Sequence, residues 1–366
     1  MILDDITKFD FINLDKINIQ QYILTNLDKI YNNNKNNSTK IEILDIKEYN
    51  KDLQELINNY NYSPKFKKKI LNLKNHNRIE YFYENTKVNL YLYSNKKNNK
   101  LINELIDLIN FCILLFNKIH KPRNNIKIFL LLTNFKKQIN INNKNQLIPD
   151  NINTGYTQNF SDTDFDYIVI YRSEELKKVL VHELIHLYNF HAFNNNNNTK
   201  INKILKLNNN RFSIFEAYTE SFAVLIYTYY YSKTFNLDFN ELIIKQINFS
   251  FIQSAKILYN LNIHNISELG TKNISESTNC ISYFILKCAI LNNLNLYKNI
   301  FNKNKGIHLL DKEKIQIFDN NIQLSIKKNN FKNNINNILT ILKDPERRNS
   351  IFNNNLIKTF RMNILD

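Results

Sequence analysis

The 366-residue sequence predicts an α+β fold: a mixed β-sheet with helices on one side, followed by a mainly helical C-terminal part. Short runs of β-branched and aromatic residues lie between residues 76 and 171, one long amphipathic segment interrupts them, and helix-periodic apolar segments dominate after residue 176. Strands gathered before a run of helices are typical of α+β proteins. The expected parts are a mostly helical region 1–75, a sheet region 76–192, a helical region 193–320 and a peripheral tail 321–366.

The elements follow from local patterns. Two runs rich in β-forming residues, separated by the polar residues 84–87, predict a hairpin. Pro122 ends the long amphipathic helix that comes after it. A continuous apolar run then predicts a central strand. The expected helices are 14–31, 50–73, 101–120, 239–262 and 276–294, and the expected strands are 79–83, 88–93, 126–133, 153–157 and 167–171.

The sequence His182-Glu183-Leu184-Ile185-His186 reads H-E-x-x-H inside an apolar, helix-periodic run. Residues i and i+4 of a helix lie one above the other, so both imidazoles face the same way. This is the arrangement in which two histidines bind one Zn²⁺. Glu183 lies beside them, where its carboxylate can act as general base toward a water in the open position of the metal.

A strand leading into the motif helix is the expected local context. Residues 167–171 form the predicted strand, and Ser173 is the predicted N-cap of the helix. Glu174 and Glu175 favour a helix start because their charges interact well with the helix dipole.

Three groups of residues are candidates for a third metal ligand. His191 follows His186 by five residues with no glycine between them, so the helix is expected to continue and His191 to face away. Cys280 and Cys288 are possible ligands by chemistry, but no local pattern marks them. The third candidate is a second helix that carries Glu216 and Glu220 on one face at i and i+4.

H-E-x-x-H followed by a helix with E-x-x-x-E resembles the gluzincin metallopeptidases of the thermolysin and neprilysin type, over residues 150–232. The resemblance implies a zincin-like fold with the active site in a cleft between the sheet and helical parts. It implies one zinc ion held by His182, His186 and Glu216, with Glu220 hydrogen-bonded to a ligating histidine. The spacing from His186 to Glu216 is longer than in thermolysin, and Asn-rich stretches at 194–198 and 208–210 predict a loop there.

The same resemblance implies two further roles. A strand before the motif helix binds substrate as an added antiparallel strand, and by position Gly155 and Tyr156 are the candidates. A tyrosine or histidine donates a hydrogen bond to the oxyanion. Tyr283 is the first candidate for that role, and His264, Tyr218, Tyr227 and Tyr230 are the alternatives.

The net charge of +16 leaves two interpretations open, a solvated basic surface and weak polyanion binding. The lysine runs are short, as at 65–69 and 96–100, and acidic residues are interspersed elsewhere. The abundance of Asn, Ile, Lys and Tyr is typical of an A/T-rich genome, such as that of a large DNA virus or of certain protists.

The three cysteines form no C-x-x-C pair, which favours free thiols in a reducing compartment. No apolar run reaches the length of a membrane span, and the first residues do not resemble a secretory signal. We therefore expect an intracellular protein, in the cytoplasm of a host cell or in a virion if the source is viral.

These patterns predict a zinc metallopeptidase that hydrolyses a peptide or protein substrate. One alternative is a DNA-associated zinc protease, which would use a third histidine. The other is a catalytically silent zincin fold that acts as a binding or virion protein. The presence of Glu183 argues against the silent alternative, because a structural zinc site needs no base.

Overall fold

A computed structural model gives the fold of the chain. It describes residues 21–36, 41–45, 51–59, 63–96, 98–118, 121–138, 149–158, 166–188, 213–270, 278–299, 301–302, 306–307, 312–354 and 357–365. The chain divides into two compact units. The sheet unit comprises Leu27–Lys136 and Asn153–Phe190, and the helical unit comprises Met1–Asn26, Lys137–Ile152 and His191–Asp366.

The sheet unit is built on a mixed six-stranded sheet with the strand order β1-β2-β3-β4-β6-β5. The strands β3, β4 and β6 run parallel to one another, whereas β1, β2 and β5 pair antiparallel with their neighbours. The six strands are β1 Ile41–Asp45, β2 Asn75–Tyr83, β3 Thr86–Ser94, β4 Asn125–Thr133, β5 Gly155–Gln158 and β6 Tyr167–Arg172.

The predicted hairpin, the predicted central strand 126–133 and the predicted strand 167–171 are confirmed, with bounds that shift by at most four residues. The strand β1 was missed in a region predicted as mostly helical. It is a five-residue segment whose two isoleucines alternate with a glutamate, which is too short to be distinguished from a loop by pattern alone.

The prediction of helices on one side of the sheet is wrong, because helices pack on both faces. On one face, side chains of α2 and α3 join a cluster with alternate residues of β3, β4 and β6, including Phe66, Phe129 and Tyr171. On the other face, the motif helix α6 contacts β5 and β6, and α4 contacts α6. In chain order, the described helices before residue 190 are α1 Gln21–Asn36, α2 Lys51–Asn59, α3 Pro64–Leu71, α4 Asn99–Asn117, α5 Pro149–Ile152 and α6 Leu176–Leu187. Of these, α5 belongs to the helical unit and α1 begins in it.

The described residues after 213 are mostly helical. The central pair is a long helix α7 and the helix α8 that packs against it. The predicted helix 276–294 is interrupted, because a π-helical turn at Ser282–Leu286 precedes a short α-helix. The remaining elements are α7 Ile214–Thr234, α8 Phe239–Asn260, α9 Lys287–Leu291, the strand pair β7 Phe301–Asn302 and β8 Gly306–Ile307, α10 Lys312–Lys327, α11 Asn329–Lys343 and α12 Pro345–Asn353, with 3₁₀ turns at Ile266–Gly270 and Leu294–Asn299.

Residues 357–365 form an irregular segment that is buried within the helical unit. Ile357 and Leu365 at its ends are 0% and 8% exposed, although the sequence pattern predicted a peripheral tail at 321–366. Buried polar side chains of α8 hold its backbone. The Lys256 ammonium donates to the carbonyls of Ile357 and Thr359, and Gln253 Nε2 donates to Thr359 O at 3.1 Å.

We predict that Lys256→Met destabilises the protein by about 2–3 kcal/mol, because methionine fills the space of the lysine stem but cannot hydrogen-bond the two buried carbonyls. Lys245→Met on the same helix is the control. Lys245 pairs with the exposed Glu241, so its loss should cost only about 0.5 kcal/mol. Urea unfolding followed by circular dichroism measures both. Equal midpoints for the two variants would contradict the prediction.

Candidate metal centre

The motif helix α6 begins in a sharp turn that follows β6. Glu175 has a left-handed backbone (φ 59°), and its carbonyl accepts the first helical hydrogen bond, from Val179 N at 2.9 Å. The predicted N-cap at Ser173 is therefore wrong. The amide and hydroxyl of Ser173 both donate to Thr133 O, at 2.9 and 3.0 Å, so this residue ends the sheet rather than starting the helix.

A single arginine holds the other end of α6. Arg123 donates to the carbonyl of Leu187, and it donates to Asp166 Oδ2 at 2.5 Å. The carbonyls of the last turn of a helix have no partner within the helix, so a guanidinium at this position satisfies one of them. The position of the motif helix is thus set at both ends within the sheet unit.

The two motif histidines lie side by side on α6. Their Nε2 atoms are 3.0 Å apart, and the ring of His182 is buried while that of His186 is half-buried. Two nitrogen ligands of a tetrahedral zinc ion are separated by roughly 3.3 Å, given Zn–N bonds of about 2.0–2.1 Å. The spacing therefore suits two ligands of one ion.

The Glu183 carboxylate is buried against the strand β5. Thr157 Oγ1 lies 2.8 Å from Glu183 Oε2 and 3.0 Å from the main-chain oxygen of the same residue. On the other side of the carboxylate is Gly155, where a Cβ atom would lie 3.2 Å from Glu183 Oε1. A glycine is needed at this position because a side chain would also meet Val169 O at 2.8 Å.

Within the helical unit, α7 carries the two predicted acidic residues. Ser213 is its N-cap, accepting a hydrogen bond from Glu216 N at 3.3 Å, and Ser213 N donates to Ser282 Oγ at 3.1 Å. Glu216 is half-buried in the first turn of the helix, and Glu220 is buried one turn later. The predicted contact of Glu220 with a ligating histidine stays a prediction.

Among the described residues, one group of metal-binding side chains has suitable geometry. His182, His186 and Glu216 each offer one ligand atom, and the three atoms lie within 4.8 Å of one another. Two imidazole nitrogens and one carboxylate oxygen are the ligand types of a catalytic zinc site that keeps a position open. The donor set therefore fits one zinc ion.

The other candidate ligands are His191, Cys280 and Cys288. His191 lies outside the described residues. Cys280 and Cys288 are fully buried thiols, and burial raises the pKa of Cys288 to about 12. Among the described residues, neither thiol belongs to the group of side chains whose ligand atoms come together.

The tyrosines and histidine considered for the oxyanion differ in exposure. Tyr218, Tyr227 and Tyr230 are buried in α7, and burial raises the pKa of Tyr218 well above its usual value. His264 is exposed in a turn. Tyr283 is half-buried in the π-helical turn, next to the Ser282 hydroxyl that accepts from Ser213 N. This contact places Tyr283 close to the start of the helix that carries Glu216.

The two residues predicted in a substrate-binding strand both lie in β5, an edge strand of the sheet. The ring of Tyr156 packs against the apolar cluster on the α3 face and meets Tyr167 edge to face at 6.4 Å. Gly155 belongs to the opposite face, next to Glu183. The role of this strand toward a substrate stays a prediction.

Sequence patterns did not indicate Arg123 or Thr157. Each contacts α6 from a distant part of the chain, 64 residues away for Arg123 and Leu187 and 26 residues away for Thr157 and Glu183. A lone arginine after a helix and a threonine in a short strand are common, so neither carries a signal by itself.

The chain is similar to an uncharacterised protein of Acanthamoeba polyphaga mimivirus, with 30% identity over 163 residues. The matched region covers 40% of this chain and 41% of that viral protein, so the chain spans about two fifths of the relative it matches. No family model matches the chain, and no solved structure matches it. None of the described helices is long and apolar enough to cross a membrane.

We predict that Gly155→Ala destabilises the protein by about 1–3 kcal/mol, because the added methyl group lies 2.8 Å from Val169 O and close to the Glu183 carboxylate. The control is Gln158→Ala at the other end of β5, which should cost less than about 0.5 kcal/mol. Thermal unfolding measures both variants. A Gly155→Ala melting temperature equal to that of the wild type would refute the steric argument.

Proposed function

We propose that the protein is a zinc-dependent metallopeptidase with one zinc ion bound by His182, His186 and Glu216. The observation that carries the proposal is the convergence of these three ligand atoms within 4.8 Å. The buried Glu183 follows His182 on the same helix. Three protein ligands with a neighbouring carboxylate are typical of zinc hydrolases, whereas structural zinc sites usually have four protein ligands.

Zinc bound at this site would supply a Lewis acid that polarises a carbonyl and lowers the pKa of water. Glu183 accepts the proton of the attacking water as general base and then donates it to the leaving amine as general acid. Tyr283 is proposed to donate a hydrogen bond to the oxyanion that develops on the substrate carbonyl. Glu220 is proposed to orient a ligating imidazole.

Substrate, location and source are part of the same proposal. We propose that the substrate is a peptide or protein, that the enzyme acts inside a cell or virion, and that the source is a large DNA virus. The similarity to a mimivirus protein supports the viral source. A DNA-associated protease and a silent binding protein stay as alternatives, and the two experiments below separate the enzyme from the silent protein.

We expect one zinc per chain in the wild type and at least a tenfold loss of zinc affinity in Glu216→Ala, because two histidines alone hold the ion weakly. Glu220→Ala should lose less, about tenfold at most, since an outer carboxylate only orients a ligand. Glu241→Ala, which removes an exposed glutamate of α8, is the control and should keep full zinc. Metal analysis after dialysis against a zinc buffer measures occupancy. Full zinc in Glu216→Ala would refute the ligand assignment.

We expect Glu183→Gln to keep zinc but to lower peptide hydrolysis by at least about 10²-fold, because glutamine cannot take the proton from water. Mass spectrometry of a peptide library incubated with zinc-loaded protein measures cleavage. Glu241→Gln serves as the matched control and should cleave like the wild type. Equal cleavage by Glu183→Gln and wild type would refute the general-base role. No cleavage by the wild type, with zinc bound, would favour the silent alternative.

A further inference from the structure

The strand β5 presents its residues to the two faces of the sheet in alternation. Tyr156 joins the apolar cluster on the α3 face, while Gly155 lies against Glu183 of α6. Successive side chains of a strand point to opposite faces, so Thr157 shares the face of Gly155. The register confirms this, because Gly155 pairs with Ile170 and Thr157 with Ile168 across the β5–β6 ladder.

Gly155 and Thr157 both contact the Glu183 carboxylate, one at each oxygen. A Cβ atom at Gly155 would lie 3.2 Å from Oε1, so the absence of a side chain is what lets this oxygen approach the strand. The other oxygen, Oε2, accepts a hydrogen bond from Thr157 Oγ1 at 2.8 Å. A hydroxyl has one proton, and a charged acceptor at the shorter distance takes precedence over the main-chain oxygen at 3.0 Å.

A glutamate has three rotatable side-chain bonds, and a general base must keep its carboxylate within reach of one water. A hydrogen bond to a carboxylate is about twice as strong as one between neutral groups, which is enough to select one conformation. The donor is also held in a fixed position, because β5 is hydrogen-bonded along its length to β6.

We propose that Thr157 is a positioning residue that holds the Glu183 carboxylate in its working conformation. The inference rests on the proposed zinc-hydrolase function and adds a residue to it. Thr157 itself touches neither metal nor substrate in this assignment. Its hydroxyl acts only through Glu183, and the small size of Gly155 provides the space that the carboxylate occupies.

The test uses zinc-loaded full-length protein and acetohydroxamate, a small probe that chelates zinc and hydrogen-bonds to a neighbouring carboxylate. Calorimetry gives its Kd for wild type, Thr157→Val, Thr157→Ala and Thr157→Ser, with zinc content and melting temperature recorded for each. Thr154→Val is the matched control, because the buried Thr154 hydroxyl has no hydrogen-bond partner among the described residues. The Kd measured for Glu183→Gln shows how much probe binding weakens when the carboxylate is lost altogether.

We expect zinc content to be the same in every variant. The Kd of acetohydroxamate should rise about tenfold in Thr157→Val and Thr157→Ala and less than twofold in Thr157→Ser and Thr154→Val. With a cleaved peptide from the library, Thr157→Val should lower kcat about tenfold and leave KM nearly unchanged, and Thr157→Ser should restore kcat.

Three outcomes would overturn the assignment, and they are distinguishable. If Glu183→Gln weakens the probe but both hydroxyl-free variants bind it like the wild type, Thr157 does not position the base, and the proposed function stands. If Thr154→Val raises the Kd of the probe as much as Thr157→Val does, the effect comes from disturbing this part of the chain and not from the hydrogen bond between Thr157 and Glu183. If the wild type binds no zinc, or Glu183→Gln has no effect on the probe, the proposed function fails and this assignment fails with it.

Discussion

Burial of ionisable groups in one helix is the constraint that organises the sheet unit. His182 and Glu183 are 6% and 5% exposed on α6, and burying such groups costs several kcal/mol unless hydrogen bonds or charges compensate. Elements from distant parts of the chain satisfy polar groups of this helix. The strand β5 provides a hydroxyl for the carboxylate, and Arg123 provides a guanidinium for the end of the helix.

The motif helix and the central strands of the sheet could be predicted from the sequence, because they depend on local patterns. The H-E-x-x-H spacing lies on a helix as expected, and the apolar runs at 126–133 and 167–171 lie in adjacent parallel strands. A continuous apolar run is typical of a strand covered on both faces. The same observation could have predicted helices on both faces of the sheet, because a strand apolar throughout needs a covering layer on each side.

The remainder depends on contacts that no local pattern contains. Ser173 is a residue type favoured at N-caps, yet its amide and hydroxyl both donate to Thr133 O, 40 residues earlier. The N-cap is Glu175, two residues later. The π-helical turn around Tyr283 depends on its packing against α7 and has no signature in the sequence. Likewise, Thr157 is one of many threonines until the fold brings it to Glu183. Tertiary structure decides each of these cases.

The buried segment 357–365 has a consequence for the order in which the protein folds. Its partners on α8 are 101 to 118 residues earlier in the chain, as for Lys256 with Ile357 and Gln246 with Ile364. Contacts of such high sequence separation form late, since a long loop must close before they contribute. During synthesis, all residues of the sheet unit leave the ribosome before this segment is made. The helical unit can therefore complete its core only after residues 357–365 have been made.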